Sequence, residues 1–275
     1  MGGPLRVRAL VLRETPVGEA DRILTLLAAE QGRFSASARG ARRQNSRLVS
    51  ATEILSLTDF SLFARGGRFV VDDAERVEAF APVKADLVRL TCAAHAAELV
   101  LDCVREGDPA PEIYRLALRT LHALSRPDRD PKLTVRAFEM RLMGLIGFAP
   151  CLEACVVCGE PPPAEAPVRF SYGRCGVVCP KDACRRVAGA SEPLPAGVLA
   201  ALRHVLSAPE ESVFSFSVDE DVRRALARLS ERYVQDRMEK EYGKLALIAA
   251  FEEPAAPAKG APPQDASGPA PAADA

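Results

Sequence analysis

The sequence lacks the long apolar runs of a membrane protein. No stretch approaches the ~18 consecutive apolar residues that a transmembrane helix needs. The start of the chain also lacks the layout of a signal peptide, because Arg6 and Arg8 interrupt its apolar residues. These absences predict a cytoplasmic protein. In a reducing compartment its eight cysteines are expected to be metal ligands or buried thiols rather than disulfides.

The sequence also lacks several common catalytic motifs. None of the three histidines is followed by the x-Glu that a zinc deaminase needs, and the H-E-x-x-H of zinc proteases is missing. The sequence has no GxxxxGK[ST] loop for nucleotide phosphates and no GxSxG. The formal net charge is only -1, so the total charge does not indicate a nucleic-acid partner. We therefore expect a protein that is not an enzyme.

The 275 residues are enough for about two domains of ~100–200 residues. Residues 5–80 hold short β-branched or alternating runs between Gly, Pro, Asn and Asp, which predict a small barrel or sandwich. Asp21–Glu30 could be a strand or a helical turn by its periodicity alone. A helical period begins at Pro82, and a single long helix is predicted from Asp219 to Phe251.

The composition sets the domain boundaries that we predict. The last 22 residues are rich in Ala and Pro and hold no Leu, Ile, Val or aromatic residue, which predicts a disordered tail. The five segments are a β domain (1–80), a helical first part (81–150), a cysteine module (151–187), a helical second part (188–253) and the tail (254–275).

Two cysteine pairs with a C-x2-C and a C-x4-C spacing are separated by 20 residues. Such pairs can close a tetrahedral four-thiolate zinc site, which would be structural because no position remains for water. The predicted ligands are Cys155, Cys158, Cys179 and Cys184. The x4 spacing leaves Cys175, and behind it Cys151, as alternative ligands. Unmetallated thiols are the other interpretation.

A basic stretch with no acid runs from residue 31 to residue 50. Its arginines are Arg33, Arg39, Arg42, Arg43 and Arg47. Guanidinium groups bind phosphate through paired hydrogen bonds, so a flexible loop that carries them suits nucleic acid, whereas the alternative is a solvated basic face. Most phenylalanines of this domain are expected in its core, with base stacking as the alternative. They are Phe34, Phe60, Phe63 and Phe69.

Two stretches have a more specific pattern. The first is ALVLRETPVGEADRILTLLAAEQGRFSASARGARRQNSRL, with G-E-x-D at Gly18–Asp21 and A-R-G-A-R-R at Ala38–Arg43. The second is LIGFAPCLEACVVCG, followed by FSYGRCGVVC. In this order and at these distances they resemble the RecO family of bacterial recombinational repair proteins, over residues 5 to about 250.

The resemblance implies an α+β multidomain fold with an N-terminal OB-fold β-barrel and an α-helical C-terminal domain with an inserted zinc-knuckle module. It implies a nucleoid-associated, non-enzymatic protein that binds single- and double-stranded DNA and anneals complementary strands. With RecR it would help to load RecA onto DNA coated by the single-stranded-DNA-binding protein SSB. The family's basic loop falls on Arg39, Arg42 and Arg43, and Cys184 departs from its commoner C-x2-C.

A partner site is expected on the apolar helix at Val135–Met143. Recruitment of SSB needs an apolar groove with a cation nearby, to take an acidic and hydrophobic peptide end. Arg136 and Arg141 are the candidates, and the alternative is that both are ordinary surface arginines. Two rival functions remain at this point. They are a zinc-dependent nucleic-acid hydrolase, which needs an open metal position, and a zinc-ribbon RNA-binding or regulatory protein.

Overall fold

The N-terminal part is a closed five-stranded barrel. A computed structural model of the chain describes residues 4–162 and 166–252. The strands are β1 (Leu5–Val17), β2 (Asp21–Ala28), β3 (Gly32–Ala38), β4 (Leu57–Arg65) and β5 (Arg68–Glu78). They pair in the order β1-β2-β3-β5-β4, and β4 closes the barrel by pairing with β1. A five-stranded barrel of this order is OB-like, which confirms the fold class expected for this part.

Alternating side chains explain why these residues form strands. Leu24 and Leu26 of β2 and Phe34 and Ala36 of β3 point into the barrel and form one buried core. The residues between them lie on the outer face, as the pleat of a strand requires. The segment from Asp21, which periodicity left open, is therefore a strand because every second residue fills the barrel interior.

Helices make up more than half of the described residues after β5, and a short helix also lies between β3 and β4. In order they are α1 (Leu48–Ala51), α2 (Ala81–Ala85), α3 (Leu87–Cys103), α4 (Pro111–Ser125), α5 (Pro131–Leu145), α6 (Asp182–Ala188), α7 (Ala196–Ser207), α8 (Glu220–Met238) and α9 (Ala246–Glu252). The side chains of Asp86, Asp130 and Asp219 each accept a backbone N–H at the start of a helix and so satisfy an unpaired donor. Of the helices described, none is long and apolar enough for a membrane span.

The single helix predicted from Asp219 to Phe251 is wrong. Helix α8 ends at Met238 because Glu239 has a left-handed backbone conformation with φ 51°. The chain then folds onto α3, where Lys240 and the Tyr242 hydroxyl both contact the Asp102 carboxylate. Periodicity missed the break because the residues after Glu239 continue a helix-compatible pattern.

The cysteine segment adds a small sheet to the helices. Its strands are β6 (Val168–Ser171), β7 (Gly176–Val178) and β8 (Glu192–Leu194), in the order β7-β6-β8. Phe170 and Val177 belong to the same buried core as the helices. The sheet thus uses a strand that lies beyond residue 187. The domain boundaries stay predictions, and the tail at 254–275 lies outside the described residues.

The barrel packs on the helical domain through residues of β1 and β2 and the start of β3. Leu10, Leu12 and Leu27 turn outward from the barrel and join the helical core. Gly32 approaches Asp108 so closely that a Cβ there would lie 1.7 Å from the Asp108 carbonyl oxygen. The loop that follows β3 and the turn between β4 and β5 stay largely exposed.

Candidate nucleic-acid interface and thiolate cluster

Four of the five candidate arginines lie on the loop between β3 and α1. Arg39, Arg42, Arg43 and Arg47 are exposed. Arg33 lies instead within β3, where it is half-buried and its carbonyl oxygen accepts the N–H of Gly107 at 2.9 Å. The structure therefore groups four of the predicted arginines and places the fifth at the junction with the helical domain.

The arginine loop is tied to the turn between β1 and β2. The N–H of Gly40 donates to Asp21 Oδ1 at 2.8 Å, and the N–H of Arg42 donates to the Ala20 carbonyl at 2.8 Å. The Arg42 guanidinium donates to the Gly18 carbonyl at 3.1 Å. The two most specific parts of the N-terminal sequence pattern thus contact each other. They hold the first half of the loop against the barrel, so the loop is not flexible over its whole length.

The charges of this loop have little internal compensation. Within residues 4–162 and 166–252, no carboxylate pairs with Arg39, Arg42 or Arg43, and Arg47 lies 4.0 Å from Asp73. Arg8 on β1 differs, because its Nε and Nη2 both donate to the Asp59 carboxylate at 2.8 Å. That hydrogen bonding lowers the pKa of Asp59. Guanidinium groups without a carboxylate keep their capacity to bind phosphate.

Sequence reasoning missed the hairpin between β4 and β5 as a candidate contact. Gly66 and Gly67 both have positive φ, 57° and 75°, which a two-residue hairpin turn of the primed type requires. Arg65 and Arg68 pair with each other across this turn and both are exposed. The sequence pattern Arg-Gly-Gly-Arg could have indicated this candidate contact, because it predicts a hairpin turn with an arginine on each side.

The four predicted cysteine ligands come together at one point. Their sulfur atoms lie within 4.8 Å of one another, and the Cys158 and Cys179 sulfurs are 3.9 Å apart. A tetrahedral zinc site with Zn–S bonds of about 2.3 Å has sulfur atoms about 3.8 Å apart. The donor set and its spacing therefore fit a metal ion that prefers thiolates.

Backbone geometry and the lowered pKa of Cys155 agree with this assignment. Gly159, with φ 75°, lets the chain turn so that its N–H donates to the Cys155 carbonyl at 2.8 Å. Burial raises the pKa of Cys155, but backbone N–H donors including that of Cys179 outweigh it and lower the pKa to about 6. The neighbouring sulfur of Cys179 raises the pKa of Cys184 to about 12. Four adjacent thiolates need a bound cation to neutralise them.

The two alternative cysteine ligands have other partners. The Arg237 guanidinium donates to the Cys175 sulfur at 2.9 Å. The Cys151 thiol donates to the Ala154 carbonyl at 3.3 Å and is exposed. The cluster is thus formed by the C-x2-C and C-x4-C pairs, and the helical turn of α6 brings Cys184 to it.

The two partner-site arginines lie in different surroundings. Arg136 is buried and donates to Glu139 at 3.0 and 3.1 Å and to Glu231 at 3.1 Å. It also lines a groove whose apolar wall is formed by Val135, Ala227, Leu245 and Ile248. Arg141 donates instead to the Val205 and Leu206 carbonyls at the end of α7.

The protein is of the α+β multidomain class: an OB-like barrel is joined to a helical domain that carries a four-cysteine cluster. Family models described as the N-terminal and the C-terminal part of recombination protein O match residues 1–80 and 84–246. The chain belongs to the RecO family of DNA repair proteins.

Similar proteins named DNA repair protein RecO extend over most of the chain. The one from Acetivibrio thermocellus is 36% identical over 248 residues, which are 90% of this chain and 97% of that protein. The one from Symbiobacterium thermophilum is 36% identical over 226 residues, 82% of this chain and 84% of the relative. A third, from Anaeromyxobacter dehalogenans strain 2CP-C, is 35% identical over 240 residues, 85% of this chain and 93% of the relative.

Proposed function

We propose that this RecO-family protein binds single- and double-stranded DNA through Arg39, Arg42, Arg43 and Arg47 and anneals complementary strands without catalysis. The observation that carries this proposal is the anchored loop with exposed guanidinium groups that no carboxylate of the described residues neutralises, save for the Arg47–Asp73 approach. Arg33, which is half-buried near the start of β3, is not included among these contacts.

The annealing mechanism is electrostatic. Two DNA strands repel each other through their phosphates, and a loop that neutralises several phosphates releases their counterions and reduces that repulsion. Contacts to phosphate do not read the sequence, so the base edges stay accessible for pairing. The hydrogen bonds from Gly40 to Asp21 and from Arg42 to the β1–β2 turn hold the loop in position before DNA binds, which reduces the ordering cost of binding.

We further propose that the protein cooperates with RecR to load RecA onto SSB-coated single-stranded DNA, at the nucleoid. The groove beside α5 has an apolar wall, and the Arg136 and Arg224 guanidinium groups line it. Apolar and acidic side chains at a peptide end, as proposed for SSB, would find complementary surfaces there. Arg136 is positioned for this role by Glu139 and Glu231. Arg141 would act only by holding α7 in place.

Zn²⁺ is the proposed occupant of the four-thiolate cluster. Cys155, Cys158, Cys179 and Cys184 would hold it, and four protein ligands leave no position for a reacting water. The ion would then join the two cysteine pairs and stabilise the small sheet. This closed donor set does not favour the zinc-dependent hydrolase.

The test is annealing of complementary fluorescent oligonucleotides, with and without SSB, at two salt concentrations and without nucleotide. The Arg39→Ala/Arg43→Ala variant removes two exposed guanidinium groups that form no ion pair among the described residues. Arg185→Ala/Arg186→Ala removes two exposed arginines from α6 and is the matched control. We expect the loop variant alone to lose salt-sensitive annealing. Equal loss in both variants would contradict the assignment to this loop, and strand cleavage or a preference for RNA would favour the rival functions.

A further inference from the structure

One partly buried arginine holds the helix at which the arginine loop ends. Arg22 Nη1, on β2, donates to the Thr52 hydroxyl oxygen at 2.9 Å and to the Val49 carbonyl oxygen at 3.4 Å. The same nitrogen lies 2.9 Å from Glu14 Oε2 on β1. Val49 belongs to α1 and Thr52 follows that helix directly. One guanidinium nitrogen therefore joins the β1–β2 hairpin to the end of the loop.

Arg22 differs from the exposed arginines of the loop in burial and in charge pairing. Its side chain is 16% exposed, whereas that of Arg47 is 86% exposed. The Glu14 carboxylate neutralises its charge. A guanidinium group that already has an anion and is largely covered by protein is poorly placed to bind a phosphate. The contacts of Arg22 therefore act within the fold.

The residue before Arg22 holds the other half of the loop. Asp21 Oδ1 accepts the N–H of Gly40 at 2.8 Å. Because successive side chains of a strand point to opposite faces, Asp21 and Arg22 hold the two halves of the loop from opposite faces of β2. Arg42 follows the Gly40 anchor, and Arg47 directly precedes α1. The distance between these two arginines is therefore fixed at both ends by β2.

Two further side chains hold the same short helix. The Thr58 hydroxyl of β4 donates to the Ala51 carbonyl at 2.8 Å, and the Arg76 guanidinium of β5 donates to the Ser50 carbonyl at 3.3 Å. The last carbonyl groups of a helix have no partner within it, and these donors from the strands supply one. We therefore expect α1 to stay folded when Arg22 is replaced, so that only its connection to β2 is lost.

We propose that Arg22 is a positioning residue for DNA binding, which fixes the end of the loop so that Arg47 meets phosphate at a set distance from the arginines of the first half. The inference rests on the proposed function and gives Arg22 itself no contact with DNA. A loop that is already ordered loses less conformational freedom when it binds. Loss of the Arg22 contacts therefore weakens binding but leaves the number of neutralised phosphates unchanged.

The experiment measures binding of a duplex oligonucleotide by fluorescence anisotropy over a range of salt, together with hydrogen exchange of the protein without DNA. Arg22→Met keeps an unbranched apolar stem and removes the donors. It should speed exchange in α1 and weaken binding about 2–12-fold, which corresponds to the cost of ordering one freed side chain on binding. The slope of binding against salt should stay unchanged, because each phosphate contact contributes about 0.9 units and none is lost.

Two substitutions separate the contact from the charge. Thr52→Val removes the hydroxyl that accepts Arg22 Nη1 and donates to the Leu48 carbonyl. Thr52 is uncharged and 0% exposed, so it does not meet DNA, and its variant should also bind more weakly with an unchanged slope. Arg22→Lys should restore part of the affinity, because all three contacts of Arg22 are made by one nitrogen and an ammonium group has three donors.

Arg89→Met is the matched control. The Arg89 side chain is 15% exposed and donates to the Leu124 and Arg126 carbonyls, outside the barrel. Its loss should leave binding unchanged, and weaker binding equal to that of Arg22→Met would overturn the inference.

The salt slope distinguishes positioning from contact. A slope that falls by about 0.9 units in Arg22→Met would overturn the inference, since Arg22 would then bind a phosphate itself. It is also overturned, with the proposed function intact, if Arg39→Ala/Arg43→Ala weakens binding while Arg22→Met and Thr52→Val bind as the wild type does. If Arg22→Met does not fold, Thr52→Val decides between these outcomes. A wild-type protein that binds no DNA would refute both.

Discussion

The basic loop after β3 and the thiolate cluster each collect groups of like charge, but the loop exposes them and the cluster largely buries them. The loop exposes Arg39, Arg42, Arg43 and Arg47 to water, whereas three of the four cluster cysteines are buried. Water and salt screen exposed charges, so an unpaired group there destabilises the fold little before a partner binds. Buried thiolates have no such screening and need a cation inside the fold. The first region is therefore suited to binding and the second to stability.

Removal of the metal should give the largest effect and tests the stability half of this comparison. Apparent binding energies of structural Zn²⁺ in zinc-finger peptides are about 10–16 kcal/mol. If the cluster holds the proposed Zn²⁺, Cys155→Ser or chelation should remove it and expose the backbone of β6 and β7 to hydrogen exchange. The DNA binding proposed for the barrel should persist, because the barrel has its own core.

Metal content measured together with hydrogen exchange distinguishes the outcomes. Cys151→Ser is the control, since the Cys151 sulfur bonds to Ala154 and not to the cluster. Full metal content in Cys155→Ser, or equal loss in Cys151→Ser, would contradict the ligand assignment.

Glu139 tests whether buried charge can be stabilised by protein groups alone. Its side chain is 1% exposed and accepts hydrogen bonds from Arg136 while lying 2.7 Å from His95 Nε2. Breaking a buried ion pair costs about 3–5 kcal/mol, so Glu139→Gln should lower the free energy of unfolding in urea by that order. Glu211→Gln, with a side chain 73% exposed, is the control and should change little.

The same carboxyl should also make stability depend on pH. Burial raises the pKa of Glu139, but Arg136 and His95 outweigh it, so the folded pKa lies below the ordinary value of about 4.3. Its stabilisation is therefore complete above about pH 4.3 and is lost as the pH falls through the folded pKa. Urea unfolding between neutral and acid pH should show a shallower acid loss in Glu139→Gln. An unchanged acid slope would mean that other carboxylates dominate.

Substitution of the exposed arginines tests whether the basic loop serves binding rather than stability. Arg39→Ala/Arg43→Ala should change the free energy of unfolding by no more than about 0.5 kcal/mol, as surface substitutions usually do. The slope of duplex binding against salt should fall by about 1.8 units, at about 0.9 per phosphate contact. A large loss of stability with an unchanged slope would reverse the roles of the two regions.

Asp21 gives the smallest predicted effect on DNA binding and shows whether anchoring of the loop matters beyond its charge. Asp21→Ala removes the acceptor of the Gly40 N–H and should cost about 1 kcal/mol of stability. Asp21→Asn keeps an acceptor and removes one negative charge near the arginines. We expect the Asn variant to bind DNA at least as tightly as the wild type and the Ala variant to bind more weakly than the Asn variant. Equal affinities of the two variants would show that the anchor has no role in binding.

Local patterns in the sequence determined much of the architecture. Alternation of apolar residues predicted a β-rich N-terminal part, and the spacing of Cys155, Cys158, Cys179 and Cys184 predicted the cluster. Both follow from short-range geometry, since a strand repeats every two residues and a pair of cysteines on one knuckle presents its sulfurs together. The resemblance to the RecO family was likewise carried by contiguous motifs.

Only the tertiary structure decided which distant residues meet. It separated Arg33 from the other arginines, placed Asp21 under Gly40, and buried Arg136 against Glu139. The register that aligns Ile23, Val70 and Phe63 depends on the pairing of β3 with β5, which lie far apart in the sequence. A one-residue change of that register would turn one of these side chains to the other face. Composition and spacing do not set such pairings, because the pairings result from the packing of the whole chain.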